Sequence, residues 1–65
     1  MRADDAHVHR HQYDLILFPR SREPAFSGGQ FETLAEALST ALKYPECAYE
    51  VRDHTDGDKV VSAGA

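Results

Sequence analysis

Residues 33–45 read TLAEALSTALKYP, and this stretch decides the fold because it specifies a helix with one apolar side. Thr33 and Glu36 have the spacing of a capping box. The hydroxyl accepts from the amide of Glu36, and the carboxylate reaches back to the amide of Thr33. Leu34, Ala37, Leu38, Ala41 and Leu42 follow at i, i+3, i+4, i+7 and i+8 and predict a single buried stripe. Lys43 suits the negative C-terminal end of the helix dipole. Pro45 stops the helix, since it has no amide donor and disfavours the α region at Tyr44. A helix with one such stripe covers one surface and no more.

Working outward, three further segments read as strands. Residues 13–18, YDLILF, carry Tyr13, Leu15 and Leu17 on one face and Ile16 and Phe18 on the other. Residues 47–53, CAYEVRD, and 59–63, KVVSA, are joined through HTDGD. A three-residue loop with Gly57 left-handed sets Asp53 across from Lys59, Val51 across from Val61 and Tyr49 across from Ala63. A two-residue Asp56-Gly57 loop sets Val51 opposite Ser62 instead. The first register gathers the apolar side chains on one face and is the one expected. The Pro-, Gly- and Ser-rich connection PRSREPAFSGGQ links the first strand to the helix. Its middle, residues 25–31, offers one more short strand hairpinned onto the first.

The expected fold is therefore α+β. One amphipathic helix packs on a small, mostly antiparallel sheet of three strands, or four with the added one, in the order β-(β)-α-β-β. Residues 1–12 read as a flexible N-terminal arm and residues 13–65 as a single domain. Sixty-five residues lie near the lower limit for a chain that folds without staples. Cys47 is the only cysteine, so no disulfide framework is available, and a lone thiol fits a reducing compartment. The longest apolar run, LILF, is too short for a signal or a membrane span. The expected location is cytoplasmic.

Charge is unevenly spread along the chain. Residues 1–22 hold four arginines against three aspartates, and residues 23–65 hold three basic residues against eight carboxylates, for a net charge of −4. An acidic body works against general nucleic-acid binding, which depends on neutralising phosphates. It is compatible with docking on a basic protein surface. Small acidic proteins of phages and mobile elements often occupy the basic groove of a nucleic-acid enzyme, and the likeness here is one of size and charge.

Candidate chemistry is sparse. His7, His9 and His11 alternate, which on a strand places neighbours about 6.8 Å apart. Ligand bonds of about 2.1 Å then allow two of them to share a zinc ion, not all three. No specific metal site and no cofactor are expected. Gly28-Gly29-Gln30 resembles the catalytic tip of class I peptide release factors, but the basic surroundings of such a tip are missing. The two glycines precede a helix N-terminus, yet the spacing and lysine of a phosphate-binding loop are absent. They read as a flexible turn. Cys47 and His54 lie seven residues apart, which on a continuous strand points them to opposite faces. The chain is not expected to be an enzyme.

What remains is apolar surface. Tyr13, Leu15, Leu17, Tyr49, Val51, Val61 and Ala63 suffice to meet the helix. Ile16, Phe18, Phe26 and Val60 are left over, and exposed residues of this kind mark an interface. The expected function is a small non-enzymatic protein-binding module, an adaptor or inhibitor-like regulator and a homodimer. It would act through the exposed sheet face, an edge strand or the acidic surface. The alternative is a nucleic-acid-binding regulator that uses His7, His9, Arg10 and His11 of the arm with Arg20 and Arg22 of the first loop.

Overall fold

The computed structural model describes residues 12–64. Along the chain run β1 (Tyr13–Pro19), β2 (Phe26–Phe31), α1 (Leu34–Ala41), β3 (Cys47–Asp53), a 3-10 turn (His54–Asp56) and β4 (Lys59–Gly64). The strands form one antiparallel sheet in the spatial order β2-β1-β3-β4. The fold is α+β, with the added strand present. Because β2 and β3 flank β1, the chain must cross over β1 to pass from one to the other, and α1 makes that crossing.

The crossing explains where the core lies. Leu15 and Leu17 of β1 and Val51 of β3 are fully buried, and Ala37, Ala41 and Cys47 complete the buried cluster. Removing each of the three large side chains from water stabilises the fold by about 1.5–3 kcal/mol. The helix presents alanines to the strand beneath it, which allows close approach. Leu34 and Leu38 flank them, half-buried.

Both helix ends are chemically defined. Thr33 caps the N-terminus, its hydroxyl accepting from the amide of Glu36 at 3.2 Å while the Glu36 carboxylate accepts from the Thr33 amide at 3.3 Å. The C-terminal end differs from the expected stripe. The amides of Lys43 and Tyr44 bond three residues back, to the carbonyls of Thr40 and Ala41, both at 3.0 Å. Leu42, whose own amide still bonds four residues back to the Leu38 carbonyl at 3.2 Å, points outward and is 80% exposed. Tyr44 packs on the core cluster in its place.

Two bulges set the faces of the outer strands. In β2, Tyr13 pairs with Phe31 and Leu15 with Gly29, but Ile16 pairs with Ser27 and Leu17 with Phe26, leaving Gly28 as the extra residue. The expected flexible turn is thus a bulged strand. A Cβ on Gly28 would lie 2.6 Å from Leu15 Cδ2 and 3.0 Å from Leu17 Cδ1. The missing side chain at Gly28 is what lets the two leucines pack beneath it.

In β4 the pairing of Asp53 with Lys59 is as expected, and Gly57 is left-handed at φ 65°. Beyond them a bulge shifts the register. Val51 faces Ser62 rather than Val61, and Tyr49 faces Gly64 rather than Ala63. Val61 becomes the extra residue and is exposed, as is Ala63. The shift places a glycine under the Tyr49 ring, where a Cβ would come within 2.6 Å of Cε2. Alanine in that place would collide with the ring.

These contacts separate a packed strand from a turn. Gly28→Ala should destabilise the domain by about 1–3 kcal/mol through overpacking, measured by urea denaturation. In a flexible turn the same change would raise stability by about 0.4–1 kcal/mol, and that result would contradict the bulged packing.

Candidate docking surface

With α1 on one side, the other side of the sheet carries no helix among the described residues. Strand alternation assigns its side chains. β1 contributes Asp14, Ile16 and Phe18, and β3 contributes Arg52, Glu50 and Ala48, each pair directly opposite. β4 adds Val60 across from Arg52 and Ala63 across from Glu50. Ile16 and Phe18 are half-buried, and Val60 is 45% exposed. Phe18, Ala48, Glu50 and Ala63, together with Tyr49 and Gly64, line a shallow depression of about 470 Å³.

Polar groups on this face are arranged in pairs. The Arg52 guanidinium donates from Nε and Nη2 to Glu50 Oε1, at 3.1 and 2.7 Å. His54 Nδ1 lies 3.4 Å from Asp14 Oδ2 at the edge of the same face. Each carboxylate here therefore has a basic neighbour. These pairs are part-exposed, so each is worth less than about 1 kcal/mol. Arg52 thus neutralises Glu50 locally, while His54 offsets Asp14 only when the imidazole is protonated.

The four residues expected at an interface divide. Ile16, Phe18 and Val60 share the helix-free face. Phe26 does not. Without the bulge at Gly28 it would stand opposite Phe18, but the extra residue shifts it opposite Leu17, onto the helix side. There its ring meets that of Tyr44 edge-on, with centroids 5.9 Å apart. Arg20 and Arg22 are exposed in the β1–β2 connection. His7, His9, Arg10 and His11 lie outside the described residues. Ala48, Glu50 and Arg52 were not singled out from sequence, and Ala63 was expected on the helix side. For Ala48, Glu50 and Arg52 the signal was present, since alternation along β3 places all three opposite Tyr49 and Val51.

Cys47 and His54 stand near opposite ends of β3, the thiol on the helix side and the imidazole beside Asp14. Burial, then the Glu46 and Glu23 carboxylates, push the Cys47 thiol up, with Arg20 opposing them. Among the described residues, no three His, Cys, Asp or Glu side chains gather as a metal-binding group. No helix there is long and apolar enough to cross a membrane.

The end of the sheet near His54 is pinned by Asp53. Its carboxylate accepts from the Thr55 hydroxyl at 2.6 Å, the Thr55 amide at 3.0 Å and Gln12 Nε2 at 3.0 Å. The hydrogen bond from the Thr55 side chain, then that from Gln12, holds the carboxyl below the usual aspartate range. A depressed folded-state pKa contributes stability above the unfolded value, which is lost as pH falls through the folded one. Asp53→Ala should therefore lower the melting temperature at neutral pH, and its gap from wild type should close in acid. A gap of equal size at all pH values would contradict this role. Compared with known proteins, the chain matches no family model, no curated protein and no solved structure.

Proposed function

We propose that this chain is a non-enzymatic protein-binding module whose docking surface is the helix-free side of the sheet, with a second copy of itself as the first partner. The observation that carries the reading is the grouping of Ile16, Phe18 and Val60 with Ala48 and Ala63 around the Arg52–Glu50 pair. Apolar side chains that no helix covers gain free energy by meeting another surface.

Charge favours a like partner at this place. A chain of net charge −4 repels its copy over most of its surface. On this face Arg52 offsets the Glu50 carboxylate, and His54 beside Asp14 adds to that when the imidazole is protonated, so the repulsion is reduced here. Across a two-fold axis, Arg52 of one copy can meet Glu50 of the other, the self-complementary pattern that a symmetric dimer needs. The open edges of β2 and β4 give a further route to pairing. The bulges in both strands and Lys59 on β4 work against it, so the face is preferred to the edges. An adaptor or inhibitor role follows if the same face exchanges its copy for a different protein.

Sedimentation equilibrium from micromolar to millimolar concentration tests this. The wild-type chain should self-associate reversibly, and Phe18→Asp should make it monomeric while leaving its circular dichroism spectrum unchanged. A wild-type chain that stays monomeric throughout, with no response to Phe18→Asp, would overturn the reading.

A further inference from the structure

At the opposite end of the sheet from Asp53, a cleft of about 430 Å³ opens where β1 ends, β2 begins and α1 hands over to β3. Phe26 and Tyr44 form one wall with their edge-on rings, and Cys47, 7% exposed, is part of the lining. Glu23, Glu46 and Arg20 also line it. This cleft is separate from the helix-free face, because the β2 bulge puts Phe26 on the helix side.

We infer that the cleft receives an arginine side chain from a partner protein. Phe26 and Tyr44 bring two aromatic rings to the lining, and a guanidinium is attracted to such rings by cation–π interaction and stacking. Two carboxylates against one arginine leave the lining net negative, and a carboxylate matches the guanidinium fork. The methylene stem of an arginine would lie on Pro19, Phe26 and Tyr44 while its head reaches the glutamates.

Other occupants fit less well. An anion would meet more carboxylates than cations. A metal ion would find no group of three His, Cys, Asp or Glu ligands gathered here among the described residues. The chain's own Arg20 does not use up the carboxylates, since among the described residues no ion pair joins it to Glu23 or Glu46. Both glutamates are exposed, so neutralising them leaves the core intact.

The test is a titration of the 15N-labelled 65-residue chain with the peptide acetyl-Gly-Arg-Gly-amide, followed by amide chemical shifts. A second arm uses the citrulline peptide, which has nearly the same shape and no charge. Saturable shifts are expected at Phe26, Tyr44 and Cys47, with the citrulline peptide weaker by roughly tenfold or more. Glu23→Gln with Glu46→Gln should weaken the arginine peptide by a similar factor. Equal binding of the citrulline peptide, no saturable shift, or shifts spread equally over Glu32, Glu36, Asp56 and Asp58 would overturn the inference. Phe18→Asp should leave the titration unchanged, so the cleft and the sheet face stand or fall separately.

Discussion

Leu15 and Leu17 can be buried only if something crosses over β1, and α1 is what crosses. The rest of the structure follows from that constraint. Eight helical residues span about 12 Å, and four strands set about 4.8 Å apart span a sheet of similar width. One such helix is used up on one side of the sheet. Small residues at Ala37 and Ala41 bring it close, the absent side chain at Gly28 makes room beneath it, and Val51 closes the far flank. Nothing in the described chain remains to cover Ile16 and Phe18.

The two sides of the sheet consequently do different work. On the helix side, apolar groups and close approaches dominate, and Tyr49 over Gly64 extends the packing to the β4 edge. On the other side, apolar and charged residues are interleaved, with Arg52 anchored on Glu50 and His54 beside Asp14. That mixture is the make-up of a surface and not of an interior. The cleft at the sheet end is a third environment, aromatic and acidic, created where the β2 bulge turns Phe26 toward Tyr44.

Local chemistry was legible in the sequence, and contacts between distant segments were not. The capping box of Thr33 and Glu36, the Ala37 and Ala41 stripe, the alternation of residues 13–18 and the left-handed Gly57 all depend on neighbours in the chain. The misplaced residues each answer to a tertiary demand. Leu42 lies outward, and Tyr44, beyond the tightened last turn, packs on the core instead. Val61 and Ala63 leave the expected core because a bulge brings Gly64 beneath the Tyr49 ring. Gly28 and Gly29 read as a turn because a glycine required by two leucines on another strand looks the same in sequence as a flexible one. Of the candidate interface, Ile16, Phe18 and Val60 were readable from strand parity, whereas the side taken by Phe26 depends on a bulge that no local pattern announces.

The claim beneath all of this is that one side of the sheet stays open in the isolated chain. Solvent paramagnetic relaxation measured on the methyl groups, at several protein concentrations, addresses it most directly. In dilute solution a soluble nitroxide should reach the Ile16 methyls and leave those of Leu15, Leu17 and Val51 untouched, and the Ile16 effect should fade as concentration rises. An Ile16 signal as shielded as that of Leu15 at the lowest concentration would contradict the account.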